Sequence, residues 1–320
     1  MTNIYNFSKN VFLDIKQENR NNPVFIFVIL ILITIPLALI LNSVLIGLMA
    51  IFTFFYFKKI NFKIDKELFL GIILYLLMLL SMFWTIDSDR TASAIIKEIP
   101  LLIIPICFLC FKPFTETQKN KIIQYYSYGI FLLTIFYLLK ATLRFFISNN
   151  NEVFFYHELV TKEVNAIHVS VYVAIAFFYF FTKPIKKILD FVILAILFLM
   201  VFLLSSKNII VVFLGLIVIY HLFYSKLSHQ LRLKNLILVG VILISFTFIG
   251  RIKDRFKQEY ETIMTDSTVN DVISKNNEIV YNVSIKQAWT NTIFRANDYF
   301  PGTAFRVYQF RIFLEMMKEN

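Results

Sequence analysis

The chain has 320 residues, 58% of them hydrophobic and 17% charged, with a formal net charge of +11. So much apolar side chain excludes an ordinary soluble domain, which would lack the polar surface to cover it. The cations sit in short clusters between apolar runs, as they do in proteins that orient themselves in a membrane, so the positive charge does not point to a nucleic-acid partner.

The first 22 residues are polar and mixed in charge. The apolar run that follows is too long for a secretory signal and lacks a small-residue cleavage site, so it is expected to be retained as a span. A helix needs about 20 apolar residues to cross the hydrocarbon layer. Pro23 to Phe57 suffices for two short helices, with the turn expected at Asn42 and Ser43. Span three is expected over 68–84, span four over 94–111, span five over 122–146 and span six over 166–182. Residues 188–224 again exceed one crossing and break only at Ser205, Ser206, Lys207 and Asn208, giving spans seven and eight. Span nine is expected over 236–250. Cys107 and Cys110 form a C-x-x-C inside an apolar run with no His beside them, and read as two small buried hydrophobes.

Charge provides an independent check on this count. With the N-terminus in the cytoplasm, the inner segments hold Lys9, Lys16 and Arg20, then Lys58, Lys59, Lys63 and Lys66, then Lys112, Lys119 and Lys121. Lys183, Lys186 and Lys187 follow, then Lys226, Arg232 and Lys234. The short outer loops hold only Arg90, Lys162 and Lys207, so the alternation required by the positive-inside rule is kept throughout. The fold class predicted is all-α: a cytoplasmic segment (1–22), a polytopic membrane bundle of about nine helices (23–250), and an extracytoplasmic, partly helical segment (251–320). In that last segment Thr303 is positioned to cap a helix from Ala304, with Val307, Phe310, Leu314 and Met317 on one face. Arg306 and Phe313 fall on the same face. The helix carries no stop signal, so a truncated or split reading frame is expected.

Ionisable groups at membrane depth are the first candidates for function. Lys207, at the tip of a tight hairpin, is either a snorkelling interface lysine or a fixed cation facing an anionic substrate. Arg306 has the planar fork that suits a phosphate or carboxylate, and Arg311 lies nearer the polar edge of its helix. His168 opens span six, and His157 and Glu158 precede it in an outer loop. Each of these also has a plainer reading as a solvated or interfacial side chain. Trp84 fits an aromatic belt, with Asp87 and Arg90 as surface charges beside it. No metal-ligand spacing, phosphate loop or serine elbow occurs.

Four segments carry a resemblance. Ser81 to Arg90 (SMFWTIDSDR), followed by Lys97 to Pro100, is similar to the Trp-Ser/Thr and acidic turn between early helices of the O-antigen ligase and O-antigen polymerase family. Asn165 to Tyr172 (NAIHVSVY) resembles that family's His-x-x-Tyr helix opening, with one residue more between His168 and Tyr172, and Ser205 to Lys207 resembles its Ser-Arg hairpin tip. Phe305 to Asn320 resembles the helix before its Pro-x-x-Gly-x-Gly turn. The resemblance implies a metal-independent membrane glycosyltransferase without cofactor in the bacterial inner membrane, active on the periplasmic face. Its expected partners are an undecaprenyl-diphosphate-linked saccharide as donor and a glycan or lipid A-core-like acceptor, as in lipopolysaccharide or envelope polysaccharide synthesis. It implies substrate-binding roles for Lys207, Arg306, Arg311 and His168, and a catalytic His beyond Asn320. Lys in place of the family's Arg at 207 is a departure that loses bidentate geometry. Two other readings are a transporter of lipid or saccharide, which would favour broken helices and internal repeats, and a catalytically inactive remnant.

Overall fold

The computed structural model describes residues 2–37, 39–56, 66–161, 164–204, 207–225, 230, 234, 237, 240, 260, 264–266, 269 and 279–319, with backbone only at 2–10, 39, 207 and 319. The expected ninth span lies outside the described residues apart from Ile237 and Gly240, as do Ser205 and Ser206 of the hairpin tip. Among the described residues the chain is all-α in character, with one pair of two-residue strands. It divides into two compact units, Met1–Gly215 and Leu216–Asn320.

Unit 1 is a helical bundle. Its elements are α1 (Thr2–Asn21), α2 (Phe25–Thr34), α3 (Leu39–Phe55), α4 (Lys66–Leu80), α5 (Ser88–Lys97), α6 (Pro100–Leu109), α7 (Glu116–Ser148), α8 (Ala166–Thr182), α9 (Ile188–Leu203) and α10 (Lys207–Ile219), the last crossing the division between units. Among the described residues, three stretches are long and apolar enough to cross a membrane: 66–83, 88–109 and 116–148. At 1.5 Å per residue, α7 spans about 50 Å, well beyond a hydrocarbon layer of about 30 Å. A capping box fixes its start: Thr115 accepts from the Gln118 N–H and Gln118 accepts from the Thr115 N–H, both at 3.2 Å.

The bundle turns its apolar side chains outward along whole helix faces. On α7, Leu132 (66% exposed), Phe136, Leu139 and Leu143 form one such stripe at helical spacing, and Leu70, Ile73, Leu74 and Leu77 form another on α4. Water would penalise surfaces of this extent, whereas lipid tails accept them.

Helix ends register in a consistent way. Phe25, opening α2, meets Phe114, just before α7, edge to face at 6.4 Å. Beyond the other end of α2, the Pro36 carbonyl accepts from the Tyr137 hydroxyl at 3.2 Å, so α2 and α7 run parallel. Phe52 and Tyr56 at the end of α3 stack with Phe111 at the end of α6. Lys183 and Asp190 close the α8–α9 hairpin, with Lys183 Nζ at 3.0 and 2.9 Å from the two carboxylate oxygens. One end of unit 1, the near end, therefore gathers 14–22, 52–56, 107–121 and 182–190. The far end gathers 34–37, 80–88, 148–161, the end of α9 and the start of α10.

The first turn is not where the polar pair suggested. The chain reverses over Ile35 to Leu37, where Pro36 cannot donate a helical hydrogen bond. Asn42 lies inside α3, and its side chain donates back to the Ile31 carbonyl at 2.9 Å. Likewise the fourth expected span opens earlier than Ala94, because Asp87 caps α5 by accepting from the Arg90 N–H at 3.0 Å. Cys107 and Cys110 are buried and free, as the sequence suggested.

Two glycines allow close helix contacts. Pro105 removes the donor that would bond the Leu101 carbonyl, and that freed oxygen faces Gly71 of α4, where a Cβ would lie 3.2 Å from it. A Cβ on Gly129 of α7 would come within 2.7 Å of Ile33 Cγ1 on α2. Gly129→Ala is therefore expected to destabilise the bundle by about 1–3 kcal/mol through overpacking, although alanine is the better helix former. Adding Ile33→Ala should recover part of that loss. Denaturing-detergent unfolding of both variants checks this.

In unit 2, Tyr281 and Asn282 (β1) pair in parallel with Asp298 and Tyr299 (β2). Between and after them come α11 (Ile285–Thr290) and α12 (Gly302–Glu319). Ser284 and Gln287 form a capping box on α11. Val283, Ala288 and Ala304 form a small core, covered by Phe294, Phe300, Val307 and Tyr308. The helix expected from Ala304 opens at Gly302, without a Thr303 cap. Its packed side runs through Ala304, Val307 and Tyr308, while Phe310, Phe313 and Met317 of the expected stripe are exposed. The sequence stripe is thus split between two sides of α12.

Candidate functional site

The far end of unit 1 is built around the last turns of α7. Asn149 ends that helix in the left-handed region (φ 49°), a conformation Asn tolerates, and its N–H bonds the Phe145 carbonyl at 2.8 Å. Asn150 then caps a short 3₁₀ turn by accepting from the Glu152 N–H at 2.9 Å. Val153, Leu159 and Val160 are buried, which plugs the loop into the bundle. Arg144 ties the loop down from the helix side: Nη1 donates to the Glu158 carbonyl at 2.6 Å and Nη2 to its carboxylate. Tyr156 is held at φ 53°, which is unusual for a bulky residue. Its ring meets His157 with centroids 4.0 Å apart. Glu158 is thus committed to Arg144, and His157 is exposed.

Asn165 caps α8 by accepting from the Ile167 N–H at 2.9 Å, and His168 is the third residue of that helix, exposed. Lys207 opens α10, so His168 and Lys207 sit at helix starts on the same end of unit 1. Helix N-termini carry partial positive charge, which adds to the cations there. Lys140 and Arg144, both half-buried, stand one turn apart on α7 toward this end. The sequence reading passed over them because they lie within an apolar stretch; their spacing of four was the available signal.

Arg306 and Arg311 belong to unit 2. Arg306 is exposed. Arg311 is mostly covered: Nε donates to Glu315 Oε1 at 2.7 Å and Nη1 to the Asn291 carbonyl at 2.6 Å. It joins the end of α11 to α12, and so has a structural task beside any binding role. Five residues correspond to about 140° around a helix, so the two arginines face different ways.

No protein-family model matches the chain, and no curated protein and no solved structure matches it.

Proposed function

We propose that the chain is a nine-span protein of the bacterial inner membrane, with the near end of unit 1 at the cytoplasmic surface and the far end at the periplasmic surface. In this reading it transfers a saccharide from an undecaprenyl-diphosphate carrier to a glycan or lipid acceptor. Support for the topology comes from the parallel pairing of α2 with α7, because spans one and five must run the same way if crossings alternate. The shared end of α3 and α6, spans two and four, agrees with it. The lipid-compatible stripes on α4 and α7 agree with burial in a bilayer.

The observation that carries the chemical reading is the set of polar groups and helix starts at the far end: Lys140, His168 and the first residue of α10, Lys207, beside the Arg144–Glu158 pair. In the reaction, an acceptor hydroxyl attacks the anomeric carbon, the bond from that carbon to the diphosphate oxygen breaks, and the hydroxyl proton is lost. Negative charge grows on the departing diphosphate, and fixed cations at a water-poor surface stabilise it. Arg306, in unit 2, is a separate candidate for substrate binding, and the lipid tail of the carrier remains in the bilayer.

Deletion of the native gene tests this. The expected result is that a lipid-linked saccharide accumulates on its carrier while the acceptor loses the corresponding glycan, and that a plasmid copy restores both. An unchanged carrier pool and an unchanged acceptor glycan would remove the reading.

A further inference from the structure

The first helix is charge-sorted. Asp14 and Glu18, one turn apart on α1, both face α7. Lys121 Nζ donates to Asp14 Oδ1 at 2.6 Å and to Glu18 Oε1 at 2.7 Å, Tyr125 donates to Asp14, and Gln118 to Glu18 at 3.0 Å. Burial pushes the Asp14 carboxyl up, but the hydrogen bonds from Lys121 and Tyr125 outweigh it and leave its pKa below the usual value. Glu18 is lowered as well, first by its hydrogen bond from Lys121, against burial. Both acids are therefore ionised at neutral pH and engaged with α7.

The other side of α1 is different. Phe12 is 65% exposed and Leu13 is 50% exposed, and Lys16 and Arg20 are exposed beside them. No acid shares this side within 11–21. The helix is held at the near end of the bundle, where the Asn22 side chain donates to the Lys112 carbonyl at 2.9 Å. Large apolar side chains left in water gain nothing, whereas two of them flanked by cations match a surface that is apolar below and anionic above.

We infer that this side of α1 lies on the anionic phospholipid headgroups of the inner membrane surface, with Phe12 and Leu13 entering the acyl boundary and Lys16 and Arg20 on headgroup phosphates. The inference rests on the membrane topology proposed above. It makes the N-terminal helix a lipid-binding element, docked to α7 through its acids and to lipid through its cations.

The test is hydrogen exchange of the full chain in nanodiscs of phosphatidylcholine, with and without phosphatidylglycerol. Each cation near an anionic surface contributes roughly a fivefold gain, so α1 amides should exchange up to about thirtyfold more slowly in the anionic discs. K16Q together with R20Q should remove that lipid dependence. Phe12→Ser with Leu13→Ser should speed α1 exchange in both lipids. The α7 amides provide the separate readout: slow exchange there in every sample shows that the bundle is inserted and folded. With α7 protected, equal α1 exchange in the two lipids overturns the inference, as does a lipid dependence that survives K16Q/R20Q. Fast exchange along α7 in wild-type discs would instead defeat the membrane topology, and the inference with it.

Discussion

Under the proposed transferase reading, Lys207→Ala or Arg306→Ala, made in the native gene, is expected to lower transfer of lipid-linked saccharide by about 100- to 1000-fold, the usual loss when one charge-stabilising group is removed from a transition state. Membrane levels of the chain should not change, because Arg306 is exposed and Lys207 starts a helix instead of filling its interior. Lys207→Arg should keep most of the activity, since it retains the charge and adds a planar fork. Carrier-bound and transferred saccharide in membranes, measured alongside the chain itself by immunoblot, decide the matter. Normal transfer in both alanine variants would remove the diphosphate role of these residues.

The second large effect is structural. Asp190 is 4% exposed at its side chain and holds Lys183 Nζ through both oxygens, while one oxygen also accepts from the Lys187 N–H at 2.8 Å. It thus joins the α8–α9 loop and caps α9. Loss of a cap costs about 1 kcal/mol, and removing one partner of a fully buried pair costs about 3–5 kcal/mol. Lys183 is 29% exposed and can turn to water once its partner is gone, so the expected cost of Asp190→Ala is about 2–3 kcal/mol, between these two limits. Asp190→Asn should lose less, because an amide oxygen can still accept from Lys187. Denaturing-detergent unfolding of the three proteins should rank them wild type, Asn, then Ala.

Much of unit 1 could be read from hydropathy. Span six was expected over 166–182, and α8 occupies the same residues, because Asn165 and Lys183 bound an unbroken apolar run. The polar break expected at 205–208 lies partly outside the described residues; α9 ends at Leu203 before it, and α10 opens at Lys207 within it. Hydropathy failed where a backbone effect decided the outcome. Asn42 looked like a turn because it is polar, yet it satisfies itself against the Ile31 carbonyl inside a helix hairpin, and Pro36 makes the turn. Only the last turn of the amphipathic α5 was counted with its span, because its first turns are polar, although Asp87 caps them into the same helical stretch.

The site was less legible than the fold. Glu158 is solvated as expected, with its side chain 58% exposed, but it also accepts from an arginine fourteen residues earlier, a pairing that depends on how the loop folds back. Arg311 similarly reaches the Asn291 carbonyl across the turn between α11 and α12. Helical spacing put Arg306 on an apolar stripe, but it cannot tell which part of that stripe packs. The contact of Ala304, Val307 and Tyr308 with Phe294 and Phe300 decides it.

Thiol labelling in spheroplasts addresses the topology most directly. With Cys107 and Cys110 replaced by serine, single cysteines are placed at Asn150 in the far-end loop, at Ile185 between α8 and α9, and at Ile293 in unit 2. Ile185 and Ile293 are 79% and 84% exposed. A membrane-impermeant maleimide should label Asn150→Cys and Ile293→Cys in intact spheroplasts, and Ile185→Cys only after permeabilisation. Labelling of Ile185→Cys from outside, or protection of Ile293→Cys while Asn150→Cys reacts, would contradict the proposed nine-span arrangement.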